Sequence, residues 1–202
     1  MKKIKVTVAG EEHLGYVPEI EKAILSASKI KGTGLAKRSG EYIKIKILEG
    51  KAIIAIFDNK KFAGFCYIES WDHKRFVANS GLIVSEEFRG MGLAMNIKRK
   101  AFNRSRKLFP TAKLFGLTTS LAVMKLNSSL GYKPVTFSEL TDDDEFWKGC
   151  KTCAYYDILF RTNRKHCLCT AMLCDNKKTG RNGKKIHKIK GQIIGRFVKE
   201  KS

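Results

Sequence analysis

The apolar and polar positions in the first fifty residues follow two different periods. Lysine alternates with Ile, Val and Thr over residues 3–8, which predicts a first β-strand. Apolar residues then recur at helical spacing over residues 12–30, where Pro18 requires a break or a late start. A short helix is predicted over residues 39–48, between a capping serine and a terminating glycine. The chain therefore begins with one strand followed by helices.

Three apolar strands then follow one another with only short turns between them. They are predicted over residues 51–57, 62–69 and 76–84, with a tight turn at residues 58–61. Consecutive strands joined by tight turns pair antiparallel, so this part of the chain is expected to form a meander.

The spacing changes again from Gly90. A long helix runs to Pro110, and strand, helix and strand are predicted in turn over residues 113–119, 120–130 and 133–137. A meander followed by strand-to-helix crossovers predicts the α/β class, with one mixed sheet.

The composition changes towards the C-terminus and suggests three regions. We expect residues 1–140 to form the core domain and residues 141–175 to form a Cys-rich extension whose strands complete or flank the sheet. Residues 176–202 are a basic tail that is expected to be disordered. A helix start is predicted in the extension at residues 141–145, which are rich in Asp and Glu. With 43% hydrophobic residues, the chain of 202 residues has enough apolar side chains for a sizeable core.

The chain carries a formal net charge of +21, from 40 Lys and Arg against 19 Asp and Glu. Such a surface can bind nucleic acid through phosphate contacts, or it can attract a small polyanion such as coenzyme A. The sequence lacks the zinc-finger, RNP and basic-zipper patterns, so nucleic acid is not expected as the primary ligand. The charge alone does not choose between the two.

No membrane span or signal peptide is predicted. The longest purely apolar run, Ala52–Phe57, is far shorter than the roughly 20 residues that a bilayer requires. The apolar stretch behind the basic N-terminus stops at Glu11, too soon for a signal peptide. We therefore expect a cytoplasmic protein.

A glycine-containing loop between the third meander strand and the long helix is the most informative segment. The strand ends in Leu82, Ile83 and Val84, and the loop and helix start comprise Arg89, Gly90, Met91, Gly92, Leu93 and Ala94. Glycines let phosphate oxygens approach backbone N–H groups, and the helix dipole adds attraction for an anion. The alternative is a helix whose start is merely eased by glycine and binds nothing.

The sequence Arg89-x-x-Gly92-x-Ala94 matches the Arg/Gln-x-x-Gly-x-Gly/Ala motif of the GNAT acyltransferase superfamily. The predicted element order over residues 3–137 resembles that fold, and residues 120–135 resemble its second cofactor helix and the following strand. This resemblance implies an N-acyltransferase that uses acetyl-CoA or succinyl-CoA, with residues 82–84 and 89–94 binding the cofactor. A phosphate loop is not formed by Gly32, Gly34 and Lys37, because the glycine required directly before the lysine is missing. The dinucleotide fingerprint also fails, because the glycine loop at residues 90–92 follows a meander and not an opening parallel βαβ unit.

The resemblance also implies catalytic roles for particular residues. In the family a bulge on the fourth strand donates a backbone N–H to the thioester carbonyl, and Val84 is the donor expected here. Glu69 is the candidate base, acting through water, although an ordinary surface carboxylate is the alternative. Asn127 stands five residues before Tyr132, where many members have a Tyr that acts as general acid. Asn127 is therefore expected to hydrogen-bond cofactor or substrate, and the acid is unassigned.

The acceptor is suggested by weaker signals. Arg38, together with residues 115–119 and 124–127, resembles the GNAT domains grouped with N-acetylglutamate synthase. That resemblance implies an acidic amino acid such as glutamate as acceptor, with Arg38 and Ser80 in the substrate site. A surface arginine is the alternative reading of Arg38.

Four cysteines of the extension are paired in the sequence. They are Cys150, Cys153, Cys167 and Cys169, which makes them candidate ligands of a structural zinc ion. Buried free thiols are an equally good interpretation, and a redox role is a third. Cys66 lies in a predicted strand and is expected in the core.

Two other functions stay open at this point. One is a protein or ribosomal N-acetyltransferase of the same fold. The other is a nucleic-acid-binding module stabilised by zinc. The sequence also leaves a homodimer open.

Overall fold

The computed structural model describes residues 3–30 and 35–175, which form one seven-stranded mixed sheet with helices on both faces. The strands lie in the order β1-β2-β3-β4-β5-β7-β6. Their bounds are Ile4–Val8 (β1), Ala52–Phe57 (β2), Lys61–Trp71 (β3), Phe76–Val84 (β4), Lys113–Thr118 (β5), Lys133–Val135 (β6) and Thr170–Cys174 (β7). The helices are Val17–Ser28 (α1), Gly40–Leu48 (α2), Leu93–Leu108 (α3), Leu121–Ser129 (α4), Asp144–Lys148 (α5) and Tyr156–Arg161 (α6). The predicted loop at 31–34 and the basic tail 176–202 lie outside the described residues.

The predicted α/β class and the meander are confirmed. Strands β1 to β4 pair antiparallel in sequence order, and β5 joins β4 in parallel after the crossover through α3. The hydroxyl of Ser39 accepts a hydrogen bond from the Tyr42 N–H and caps α2, as its sequence position predicts. Pro18 lies in the first turn of α1, after a short 3-10 helix over residues 11–16.

Alternate residues of the central strands enter two different cores, one on each side of the sheet. Ile54 and Phe65 pack with α1 and α2, whereas Ile53 and Cys66 pack with α3. This alternation follows from the two-residue period of a strand. Because both faces are covered, the middle strands are apolar at nearly every position. Cys66 is buried in β3, as predicted.

Strands β4 and β5 pair only at their first residues. The parallel ladder joins Phe76–Ala78 to Lys113–Phe115 and goes no further along either strand. Beyond this point the two strands separate and leave a gap in the sheet. The remaining residues of β5 pair instead with β7 on its other side.

A β-bulge interrupts β4 where this strand pairs with β3. Phe65 pairs with Ile83, and Tyr67 pairs with Ser80, so β4 contains one residue more than β3 between these two pairs. Gly81 lies in this bulge with a φ of +63°, a conformation that glycine adopts without strain. The sequence placed the bulge later, at residues 82–84. The glycine sets its position, because only glycine leaves room there for the Tyr67 ring.

The Cys-rich extension is joined to the central sheet by β7, which lies between β5 and β6. The sequence predicted cysteine-rich strands ahead of the tail; β7, which ends at Cys174, is such a strand, whereas no strand forms over residues 150–169. These residues form turns and the short helix α6. Tyr156, Leu159 and Phe160 have helical spacing, but six residues give too short a pattern to recognise. In the part of the chain that the structure describes, no helix is both long and apolar enough to cross a bilayer.

Replacing Gly81 by alanine is expected to lower the free energy of unfolding by about 1–3 kcal/mol, because alanine is strained at this positive φ. An added Cβ would also lie 2.5 Å from the Tyr67 ring. Urea unfolding measures the change. Gly116→Ala is the matched control on β5, since its Cβ would make an ordinary contact at 3.7 Å. Equal stability of the two variants would contradict the assigned bulge.

Candidate functional site

A cavity of about 780 Å³ occupies the gap where β4 and β5 separate. Residues from both faces of the sheet line it. Asn79, Ser80, Gly81 and Leu82 form its β4 wall, and Gly116, Leu117 and Thr118 form its β5 wall. Lys98 and Asn127 reach it from the side of α3 and α4, whereas Arg38 and Glu69 reach it from the side of α1 and α2. A ligand in this cavity is therefore accessible to reacting groups on both faces.

Asn127 places an unsatisfied polar atom in the cavity wall. Its side chain is 1% exposed, and its Nδ2 donates to the sulfur of Met172 at 3.6 Å. Its Oδ1 is buried and accepts no hydrogen bond from any described residue. An unsatisfied buried acceptor is costly, so this oxygen is suited to a ligand N–H. The predicted ligand-binding side chain is thus in a position to bind, although this role stays a prediction.

The β4 wall of the cavity ends at Leu82. The sequence favoured the backbone of Val84 as the oxyanion donor, but Val84 pairs with Gly64 in the ladder and is not among the cavity-lining residues. Ile83 is also outside the lining and packs in the core on the α1 and α2 side. The bulge brings Gly81 and Leu82 to the cavity instead. The correction follows from the earlier position of the bulge.

The glycine loop lies at the start of α3, and none of residues 89–94 is among the residues that line the cavity. Gly90 and Gly92 have φ of +77° and +73°, and a Cβ on either would meet no atom within 4 Å. Gly92 is the N-cap of α3 and has no side chain that could cap the helix. The first backbone N–H groups of α3 therefore face outward without a side-chain acceptor. The Leu93 side chain is buried in the core, which leaves only its backbone for a ligand. The arrangement suits a phosphate group.

Arg89 flanks this loop with an exposed side chain. Its Nε donates to the Val84 carbonyl at 3.3 Å, and its Nη1 lies 3.4 Å from the Glu86 carboxylate. Both contacts are long, and the side chain is 59% exposed. The guanidinium can therefore turn towards an anion at the loop, because the two contacts that it would give up are weak.

Glu69 lies at the cavity wall as predicted, within a network of donors. Its carboxylate accepts a hydrogen bond from the Tyr42 hydroxyl and lies 2.7 Å from Lys46 Nζ. The Ser70 N–H donates to its other oxygen at 3.2 Å. These contacts fix the orientation of the carboxylate towards the cavity. Burial raises the pKa of Tyr42 well above its usual range, so Tyr42 serves as a neutral donor.

Arg38 is the cation of the opposite wall. Its Nε donates to the Tyr67 hydroxyl at 2.8 Å, and its guanidinium lies over the rings of Tyr42 and Tyr67. Its Nη1 donates to the carbonyl of Lys37. Among the described residues, no carboxylate lies within ion-pair distance of it. The surface-arginine alternative therefore does not describe its position, since it is a half-buried, oriented cation beside the cavity.

The four paired cysteines line one wall of the same cavity. Residues 3–30 and 35–175 contain no group of three or more His, Cys, Asp or Glu side chains placed to hold a metal ion. The zinc site predicted at Cys150, Cys153, Cys167 and Cys169 is therefore not supported. Burial raises the pKa of Cys150 to about 11 and that of Cys169 to about 12, which favours neutral thiols.

Sequence reasoning missed several residues that the structure brings to the site. They are Tyr42, Lys46, Gly81 and Lys98. Lys98 was detectable, because it occupies the buried stripe of α3 with Ile97, Ala101 and Ser105. A lysine at such a position is unusual. The Tyr42 and Lys46 contacts to Glu69 had no sequence signal, because they depend on how α2 packs against β3.

No protein-family model matches the chain, and no curated protein matches its sequence. Solved structures do match its fold. One is an N-acetylglutamate synthase from Neisseria gonorrhoeae complexed with coenzyme A and N-acetyl-glutamate, with a TM-score of 0.62 and 18% identity over 86% of this chain. The match covers 35% of that protein, so this chain spans about a third of its length.

Two smaller proteins match over nearly their whole length. A GNAT-family acetyltransferase from Staphylococcus aureus has a TM-score of 0.60 and 13% identity, covering 87% of this chain and 100% of that one. A ribosomal-protein alanine N-acetyltransferase from Escherichia coli has a TM-score of 0.53 and 14% identity, covering 89% and 98%. The chain therefore has the GNAT acetyltransferase fold, as the sequence predicted.

Cys169 is expected to be alkylated by iodoacetamide far more slowly than free cysteine at pH 8. Burial and the neighbouring thiols raise the pKa of Cys169, so a far smaller fraction of it is ionised at that pH than the roughly one quarter expected of an ordinary thiol. The rate should rise about tenfold per pH unit up to pH 10. Peptide mass spectrometry resolves the site, and urea-unfolded protein is the control. Rapid alkylation of folded Cys169 at pH 7 would contradict a buried neutral thiol.

Proposed function

We propose that this chain is an acyl-CoA-dependent N-acyltransferase that transfers an acetyl or succinyl group to the primary amine of a small amino acid such as glutamate. The observation that carries the proposal is the cavity in the β4–β5 gap. Asn127, with its buried oxygen that accepts no hydrogen bond from the described residues, lines one face, and Arg38, which has no carboxylate partner among those residues, lines the other. The fold, shared with proteins solved with coenzyme A, supports the same conclusion.

The residues present fit an acyl-CoA. Backbone N–H groups of Gly90 to Ala94 would hold the pyrophosphate, with Arg89 supplying a charge-assisted contact. Asn127 Oδ1 would accept a hydrogen bond from an amide N–H of the pantetheine arm. When bound, the thioester supplies an activated acyl group and a thiol leaving group.

The other residues of the cavity perform the remaining tasks of acyl transfer. The bulge at Gly81 and Leu82 offers backbone N–H groups to the developing oxyanion. Glu69 takes the proton of the attacking amine through water, with Tyr42 and Lys46 holding the carboxylate in place. Transfer is direct, from thioester to amine, without an acyl-enzyme.

Arg38 selects the acceptor. Its guanidinium lies beside the cavity without a carboxylate partner among the described residues, so it can bind the α-carboxylate of an amino acid. Ser80, on the β4 wall, is placed to assist it. This recognition favours a free amino acid over an amine that lacks a carboxylate.

Replacing Arg89 by glutamate is expected to weaken binding of coenzyme A by about 10–100-fold, because a charge-assisted contact is replaced by repulsion. Thermal unfolding with acetyl-CoA, succinyl-CoA and free coenzyme A measures the effect. Ligand at about 100 times its Kd stabilises the folded protein by about 2.7 kcal/mol.

Arg75→Glu is the matched control for this substitution. Arg75 is also an exposed arginine and also pairs with a carboxylate three residues earlier, but it lies in the β3–β4 turn. Its variant should keep the wild-type response to coenzyme A. Wild-type protein that is stabilised by none of the three ligands would refute the proposed function.

Acyl acceptors can be identified by thiol release across glutamate, ornithine, a polyamine and peptides, each with both acyl donors. We expect glutamate-like amino acids to react best. Arg38→Met should raise their KM by about 10–100-fold, since a charge-assisted carboxylate contact is lost. The α-amide of glutamate lacks that carboxylate and serves as the control, so its KM should be unchanged by the substitution.

Two outcomes would contradict this acceptor assignment. Peptides reacting faster than every free amino acid would favour a protein N-acyltransferase. An equal effect of Arg38→Met on glutamate and on its α-amide would show that Arg38 does not bind the carboxylate.

A further inference from the structure

Lys98 of α3 is a fully buried lysine that the proposed mechanism does not use. Its side chain is 2% exposed and lines the cavity on the same side of the sheet as Asn127. Its Nζ donates to the Asn79 carbonyl of β4 at 3.0 Å. Lysine is rarely buried without a carboxylate partner, so its presence here requires an explanation.

The groups around Lys98 are neutral. Its Nζ lies 5.8 Å from the centre of the Tyr132 ring, and the Cys66 thiol of β3 faces it. Within residues 3–30 and 35–175, no Asp or Glu lies within ion-pair distance of Nζ. The Lys98 ammonium is therefore hydrogen-bonded to a carbonyl and lies near an aromatic ring, and it forms no ion pair with a described residue.

Burial also changes how readily Lys98 releases this proton. Desolvation lowers the pKa of Lys98 from its ordinary value of 10.5, in the direction of the pKa of a thiol. The neighbouring titratable groups do not compete with it. Burial raises the pKa of Cys66 to about 11 and raises that of Tyr132 above its usual range, so both stay neutral.

The resembled mechanism needs an acid that this chain does not supply in the usual position. Asn127 stands where many GNAT proteins have the acidic tyrosine, and an amide has no titrating proton. Tyr132 is another hydroxyl on this side of the sheet, but it is not among the cavity-lining residues and it donates to Asn79 Oδ1 at 3.4 Å. Neither Asn127 nor Tyr132 therefore supplies a proton to the departing thiolate.

Lys98 lies between the two parts of the proposed cofactor site. It is five residues from Leu93, which corresponds to about 7.5 Å along the helix axis from the glycine loop. It also borders the strand gap where the acyl group must meet the acceptor. A thioester that reaches from the loop into the gap would lie near this side chain, because Lys98 is on α3 and also lines the cavity.

We infer that Lys98 is the general acid that protonates the leaving thiolate of coenzyme A, an inference that rests on the proposed function. The amine nitrogen forms a bond to the acyl carbon, and the carbon–sulfur bond breaks. The Lys98 ammonium gives its proton to the sulfur and becomes a neutral amine. The proton lost by the acceptor amine leaves through Glu69 and water, and Lys98 is reprotonated from solvent.

Replacing Lys98 by methionine tests this role with a side chain of similar length and no charge. We expect kcat to fall about 100-fold while the KM for acyl-CoA changes less than about threefold. Lys98→Arg keeps the charge but not a transferable proton, so its kcat should stay low at every pH. Lys100→Met, at an exposed position two residues further along α3, is the control and should retain wild-type kinetics.

The pH dependence of kcat distinguishes proton donation from simple charge. An acid must be protonated to act, so wild-type kcat should decline on the alkaline side, with a midpoint below pH 10.5. This alkaline decline should be absent from Lys98→Met. Full activity of Lys98→Arg, or a wild-type kcat that does not decline below pH 10.5, would overturn the inference even if the methionine variant fails to fold.

A measurement without turnover tests the same contact. The ultraviolet absorbance of the thiolate can be titrated in bound free coenzyme A, with desulfo-coenzyme A subtracting the thiols of the protein. A nearby ammonium lowers a thiol pKa, so the wild-type midpoint should lie about one unit below that of Lys98→Met. Identical midpoints would show that Lys98 does not touch the sulfur.

The result separates this inference from the proposed function. Wild-type protein without turnover on any acceptor refutes the acyltransferase itself. Normal wild-type turnover with unchanged kcat in Lys98→Met refutes only the role of Lys98.

Discussion

The separation of β4 from β5 beyond Ala78 is the constraint on which the site depends. A sheet closes its interior through backbone hydrogen bonds, and where two neighbouring strands diverge, those bonds cannot form. The opening lets side chains from both faces meet, which a continuous sheet would prevent. β7 makes the divergence tolerable, because it pairs with the part of β5 that has left β4. The Cys-rich extension is therefore part of what holds the site open.

Most of the fold could be predicted from the sequence, because local signals were strong. The bounds of β4 agree with the prediction, and the Ser39 cap and the helix that starts after Gly92 were each recognisable from a few residues. The contacts of Glu69 were not, since they join α2 to β3 across 27 and 23 residues of sequence. Pattern reasoning identifies elements and motifs, whereas such pairs depend on how elements pack.

The bulge and the cysteine segment show two different reasons for error. The family resemblance suggested a bulge near the end of β4, but its position depends on Gly81 and the Tyr67 ring, which lie on neighbouring strands. The spacing of the cysteines suggested metal ligation. Spacing alone, however, carries no information about the surroundings of each thiol in the folded protein. In the part of the chain that the structure describes, no three or more His, Cys, Asp or Glu side chains are placed to hold a metal ion.

The polar groups that line the cavity explain why the gap is more than a packing defect. An unfilled space in a core is normally apolar, because unpaired polar atoms there destabilise the fold. Here Asn127 Oδ1 has no partner and Lys98 is bound only through one carbonyl, while Arg38 faces the same space from the other side. Burying Asn127 Oδ1 without a partner lowers the stability of the free protein, whereas Lys98 and Arg38 donate to protein oxygens but form no ion pair with a described residue. Their convergence on one cavity supports the proposed site for a polar, charged ligand that extends through the sheet.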